Sequence, residues 1–139
     1  MVEVKADYIS TNNNGTPVVI LKQKEGDPIR RLLIWVGEAE ANAIKSYLDE
    51  MPSPRPMTHD LIKNIIDALS TTVNAVYITK IEKSTFYAKL SLKADTQEIA
   101  IDSRPSDAIA MAIRFNAPIF VDEGVLEEHG FLEEEKKDG

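Results

Sequence analysis

The stretch Ile99-Ala100-Ile101-Asp102-Ser103-Arg104-Pro105-Ser106-Asp107-Ala108-Ile109-Ala110-Met111-Ala112-Ile113 changes its hydrophobic period in the middle. Before Asp102 the apolar residues alternate, as on a half-buried strand. After Pro105, Ile109, Ala112 and Ile113 fall at helical spacing. Residues before proline avoid the α region, so Arg104 is expected at the cap, with Pro105 at the first helical position and Asp107 two further in. A weak echo lies 67 residues upstream. Leu32, Ile34, Glu40, Ala41 and Ala43 match Ile99, Ile101, Asp107, Ala108 and Ala110 in character. A true repeat relates the two helix starts by a pseudo-twofold axis; any two hairpin-plus-helix units would also look alike.

Working outward, Val2 to Tyr8 alternates, and Pro17 to Leu21 and Arg31 to Val36 are apolar β-branched runs. The polar stretch Lys22 to Asp27 joins those runs as a hairpin. Val76 to Ile81, Phe86 to Leu92 and Ile99 to Ile101 read as three more strands, and Pro118 to Val121 as a short last one. Ile44, Tyr47, Leu48 and Met51 mark a first helix after Gly37. Leu61, Ile62, Ile65, Ile66 and Leu69 mark a second from about Thr58, which suits an N-cap, with Asp60 favourable at the positive helix end. Met51-Pro52-Ser53-Pro54-Arg55-Pro56 is a stiff, extended connector. The expected fold class is α+β: one compact domain with a mixed, mostly antiparallel sheet, about three helices and a β-β-β-α pseudo-repeat. The domain is placed at residues 1–125, and an acidic C-terminal tail at 126–139.

The 139 residues include 43% hydrophobic and 28% charged side chains, enough for a real core. There is no cysteine, which excludes disulfides, thiolate metal sites and cysteine nucleophiles and fits a reducing cytoplasm. The N-terminus has no basic start followed by an apolar run, and no apolar stretch approaches the ~18 residues of a membrane span, so a cytoplasmic protein with no membrane partner is expected. The net charge of −7 is uneven: from Asp122 onward eight acidic residues face two lysines, leaving the body nearly neutral. Solubilisation accounts for such an end; competition with nucleic acid for a basic groove is the sharper reading.

No G-x-G-x-x-G, P-loop, H-E-x-x-H or G-x-S-x-G motif occurs. The chain has two histidines, so a histidine-rich metal site lacks ligands. Polar residues instead gather where two helices begin. Arg55, Thr58, His59 and Asp60 stand at one start, and Asp102, Ser103, Arg104, Ser106 and Asp107 at the other. Helix N-termini and arginines handle phosphate, which points to Arg55, Arg104, Thr58 and Ser103. Asp102 and Asp107 are candidate ligands for a divalent cation, Mg²⁺ or Mn²⁺, in metal-assisted phosphodiester hydrolysis, with Asp60 as a further ligand or catalytic carboxylate. His59 is the candidate base. Equally, such residues serve as caps and ion-pair locks, and His59 as a packed side chain. Trp35, the sole tryptophan, is expected in the core.

Arg55-Pro56-Met57-Thr58-His59-Asp60-Leu61 and Asp102-Ser103-Arg104-Pro105-Ser106-Asp107-Ala108 are long, unusual blocks. With Ile34-Trp35-Val36-Gly37, Phe86-Tyr87-Ala88-Lys89-Leu90 and Pro118-Ile119-Phe120-Val121, they resemble, in order, the successive blocks of the bifunctional nuclease family. The resemblance runs from about Pro17 to Val125. It implies a compact α+β fold, a homodimer, and for some members nuclease activity on DNA and RNA. It brings no assigned catalytic residues. The alternative is a non-catalytic homodimeric binding or scaffold module that seats a small anionic ligand.

Overall fold

The computed structural model describes residues 1–132. Eight strands and four helices follow in the order β1 (Val2–Thr11), β2 (Pro17–Gln23), β3 (Arg30–Trp35), α1 (Glu38–Leu48), α2 (Thr58–Ala68), β4 (Thr72–Glu82), β5 (Thr85–Ala94), β6 (Gln97–Ser103), α3 (Pro105–Phe115), β7 (Ile119–Val121), α4 (Glu123–His129) and β8 (Phe131–Leu132). One sheet holds every strand, in the order β6-β5-β4-β7-β1-β2-β3-β8. The α+β class and the mixed, mostly antiparallel sheet are as expected, because only the β4–β7 pair is parallel.

The pseudo-repeat is visible in this order. Two antiparallel meanders, β1-β2-β3 and β4-β5-β6, flank the short strand β7, and each runs on into a helix, α1 or α3. Those helices span 38–48 and 105–115, so both ends of α3 lie 67 residues beyond those of α1. Arg104 is the extended N-cap of α3 and Pro105 opens the helix, where its missing N–H costs nothing. Asn116 closes it at φ 51°, a left-handed position that asparagine tolerates.

The core lies between the sheet and the helices. Val19, Leu21, Leu32 and Ile34 point into it from β2 and β3, and Val76, Ile78 and Ala88 from β4 and β5. Ala108, Ile109 and Ala112 meet them from α3 and Ile44 from α1. Small residues let α3 press close to the sheet.

Three expectations change. Trp35 is 52% exposed. Its neighbour Ile34 takes the inward side of β3, and alternation turns Trp35 outward. In α2 the helix forms as predicted but begins after Met57, so Thr58 is its first residue and not its cap. His59 is buried, whereas Leu61, Ile62, Ile65 and Leu69 are exposed. Finally, the acidic segment from residue 126 is folded as far as Leu132. Val125 and Leu126 are buried on α4, Asp122 Oδ1 caps that helix by accepting the Gly124 N–H at 2.9 Å, and β8 pairs with β3. Arg30 fixes α4 to β3 through a bidentate bond to Glu123, at 2.7 and 3.0 Å. The remainder of the expected tail, 133–139, lies outside the described residues.

Candidate functional site

Helices α2 and α3 start beside each other, at the mouth of a cleft of about 840 Å³. Thr58, His59, Asp102, Ser103, Arg104 and Asp107 all line it, so six of the eight candidate residues converge. Its floor is aliphatic, with Ile62, Ile66, Leu90, Leu92, Ile101 and Met111. The two remaining candidates lie elsewhere. Arg55 is exposed on the proline connector. Asp60 faces a second groove of about 1,210 Å³, on the far side of the α2 start from His59.

A single polar chain crosses the cleft mouth. Asp107 Oδ1 lies 2.9 Å from His59 Nε2, and Asp107 Oδ2 accepts from Arg104 Nε at 2.8 Å. Arg104 Nη2 reaches Glu40 Oε1 of α1 at 2.7 Å. A carboxylate held by a guanidinium is an acceptor only, so His59 Nε2 carries the proton in that bond. With Nε2 donating, Nδ1 is the ring nitrogen left to act as a base. Its hydrogen bonds to the carboxylates of Asp107 and then Glu40 raise the Arg104 pKa above its ordinary value, keeping the guanidinium charged. Glu40 is held below the usual carboxylate range, first by a backbone N–H and then by Arg104. Ser103 Oγ donates to the Arg104 carbonyl at 2.8 Å, fixing the turn from β6 into α3.

Two residues that sequence reasoning missed support this arrangement. Glu40 is one, although its place in the 67-residue echo, opposite Asp107, marked it. The other is Arg114, whose side chain is 2% exposed. It donates to Asp60 Oδ1 at 2.8 Å, to the Ala110 carbonyl at 2.9 Å and to the Ala43 carbonyl at 3.1 Å. Asp60 also accepts the Met57 N–H at 3.0 Å, closing the start of α2. Burial works to raise the Asp60 pKa, but the bonds from Arg114 and Met57 outweigh it and hold the carboxyl low. Arg114 thereby ties α1, α2 and α3 together and fixes the turn that carries His59.

This donor set does not fit a resident divalent ion. Among the described residues no group of three or more His, Cys, Asp or Glu is placed to hold a metal. Both Asp107 oxygens are engaged by His59 and Arg104, and Asp60 is turned to Arg114. Among the described residues no helix is long and apolar enough to cross a membrane.

The family model described as the bifunctional nuclease domain matches residues 19–134. An uncharacterized protein of Mycobacterium tuberculosis (strain H37Rv) is 40% identical over 122 residues, covering 88% of this chain and 71% of its own. Bifunctional nuclease 1 of Oryza sativa subsp. japonica is 28% identical over 115 residues, 81% of this chain and 34% of its own. Bifunctional nuclease 1 of Arabidopsis thaliana is 29% identical over 108 residues, 76% of this chain and 33% of its own. The chain therefore spans about a third of the length of these plant relatives.

Proposed function

Because the chain belongs to the bifunctional nuclease domain family, we propose that it hydrolyses phosphodiester bonds of DNA and RNA in the cleft where α2 and α3 begin. The observation that carries the reading is the His59–Asp107–Arg104 chain, which sets a proton acceptor beside a charged guanidinium at the mouth of one cleft. Arg104 Nη1 has no protein partner among the described residues and is the donor left for a phosphate oxygen. The Thr58 hydroxyl and the free N–H groups of the two helix starts add to the same attraction.

In this reading the phosphorus sits against Arg104. His59 Nδ1 takes the proton of the attacking water as its oxygen bonds to phosphorus. The P–O bond to the leaving group breaks, and the leaving oxygen receives a proton from solvent or from the imidazolium. Asp107 stabilises the imidazolium formed in the first step. No step is routed through a metal. The cleavage mix carries Mg²⁺ or Mn²⁺ in one arm and a chelator in another, because a cation brought in with the phosphate would act without a resident site.

The test is cleavage of single-stranded DNA and of RNA by purified protein beside His59→Ala. Loss of about 10²-fold or more in rate is expected for the variant, the scale of a missing acid–base group. Equal cleavage by both proteins, or none by either, overturns the reading. Closure of Glu40 and Asp107 on Arg104, and of Asp60 on Arg114, supports the rival, a non-catalytic module whose polar residues hold three helices together. That module predicts no cleavage, with phosphate binding that Arg104→Ala abolishes.

A further inference from the structure

All four helices give side chains to the core on one side of the sheet, Ile44, Ile66, Ile109 and Leu126 among them. No helix covers the other side among the described residues, and the aromatic residues collect there. Alternation and strand register place them. Trp35 stands opposite Val18, Tyr8 opposite Ile20, Tyr87 opposite Lys80 and Phe131 opposite Arg31. These four aromatic residues are 36–52% exposed. Tyr77 and Phe120, on the paired strands β4 and β7, stack with ring centroids 5.5 Å apart and planes at 17°. Six of the nine aromatic residues thus face away from the helices, and the buried core contains none. Large apolar side chains gathered on an open face mark an interaction surface.

Cations cross the same face. Lys5, Lys22 and Arg31 lie directly opposite one another on β1, β2 and β3. Adjacent strands are about 4.8 Å apart, so the row is about 10 Å long. Like charges so placed repel and weaken a sheet. The carboxylates of these three strands are already engaged, Glu3 with Lys24 at 3.0 Å and Asp7 with Arg31 at 3.7 Å. Lys5 and Lys22 form no ion pair among the described residues. Elsewhere on the face Lys89 stands opposite Tyr77, and Lys80 Nζ lies 4.8 Å from the Tyr87 ring centroid. Rings and cations are interleaved across it.

We propose that the helix-free face of the sheet binds single-stranded nucleic acid, with bases laid on the rings and backbone phosphates on Lys5 and Lys22. The chemistry selects this partner. Unpaired bases offer flat faces to aromatic side chains whatever their sequence, and an anionic backbone relieves the lysine row. A duplex keeps its base faces inside its own stack. An acidic peptide would use the lysines and leave the rings idle. The face is on the other side of the sheet from the cleft of His59 and Arg104, so the inference holds whether or not that cleft hydrolyses phosphodiesters.

Trp35, the sole tryptophan, reports on this face without a label. Arg31, Leu33 and Trp35 share one side of β3, which puts Trp35 about 13 Å from the cation row at ~3.3 Å per residue. The whole chain carrying His59→Ala, so that the probe stays uncut, is titrated with a single-stranded oligothymidylate. Quenching of Trp35 fluorescence that weakens with added salt is expected. The same strand without bases, its duplex with oligoadenylate, and a polyglutamate peptide should each need at least tenfold higher concentration. Arg104→Ala should keep the full quench at saturating strand, however much it weakens overall binding. Lys22→Glu sets a carboxylate between Lys5 and Arg31, so Tm should hold or rise while strand affinity falls at least fivefold. No strand binding, binding without quench, or loss of the quench in Arg104→Ala overturns the proposal. So does unchanged affinity in Lys22→Glu, or equal binding of the abasic strand, the duplex or polyglutamate. A quench that behaves as expected, with no cleavage by the parent protein, would sink the nuclease reading alone.

Discussion

Glu40 and Asp107, 67 residues apart, meet on one guanidinium, that of Arg104. They hold the same place in two helices, the third residue of α1 and of α3. The same spacing recurs one turn further in. Ala43 and Ala110 both give their carbonyl oxygens to Arg114, and Tyr47, the counterpart of Arg114 in α1, lays its ring 5.2 Å from that guanidinium. Arginines from one half of the repeat thus sit on the seam and bind both halves. A symmetric seam would set two like charges or two like dipoles together; a lone arginine satisfies both sides at once.

Arg114→Met is therefore expected to destabilise the protein by about 3–5 kcal/mol, lowering Tm on the order of 10 °C. The change strands Asp60 and leaves the Ala43 and Ala110 carbonyls without their donors. Arg114→Lys restores the charge but cannot span three acceptors, and should recover less than half of the loss. Differential scanning calorimetry of both variants checks this.

Arg104 should behave differently. Its side chain is 64% exposed, so its ion pairs are screened and Arg104→Ala should cost only about 1 kcal/mol. Phosphate or nucleic-acid affinity is expected to fall at least tenfold in the same variant. A Tm drop as large as that of Arg114→Met, with affinity intact, would assign Arg104 to the scaffold.

Acid should weaken the two seams together. Glu40 and Asp60 are both held below their ordinary pKa in the fold. Their stabilisation is complete above the unfolded-state values and is lost as pH falls through the lower folded ones. Stability is expected to be flat near neutrality and to fall below about pH 4. Glu40→Gln and Asp60→Asn should each start less stable and fall less steeply. Urea midpoints from pH 7 to pH 3 measure both slopes.

Much of this was legible in the sequence, and the parts that were not share a cause. The change of period at Arg104-Pro105 and the 67-residue echo gave both repeat units, because local pattern and turn chemistry decide those. The convergence of His59 on Asp107 was suggested only by two polar clusters at helix starts. Its neighbour Asp60, one residue on, goes the other way because successive helix positions are about 100° apart. Arg114 was invisible: nothing local separates it from a solvated residue near a helix end, and its three acceptors come from three elements. The stripe of α2 was read correctly as a stripe. Periodicity does not say whether an apolar face meets the same chain or another.

The last expectation concerns α4, where composition misled most. Glu123, Glu127 and Glu128 give the segment an acidic surface character, yet Leu126 between them is 1% exposed against the core. A seven-residue helix has little stability alone, so its order comes from that burial, the Asp122 cap and the Arg30–Glu123 fork. Leu126→Ala is accordingly expected to cost about 2–5 kcal/mol, as for a fully buried leucine. Glu127→Ala and Glu128→Ala should fall within about 0.5 kcal/mol of the parent, as surface changes do. Gly130→Ala provides a second probe of the same docking. A Cβ there would run into the Leu126 carbonyl oxygen, which accepts the Gly130 N–H at 2.8 Å and cannot move aside without breaking that bond. Loss of β8 pairing and a cost of about 1–3 kcal/mol should follow. Urea titrations of the four variants separate a docked helix from a solvated tail: equal midpoints for Leu126→Ala and Glu127→Ala would return the segment to the tail.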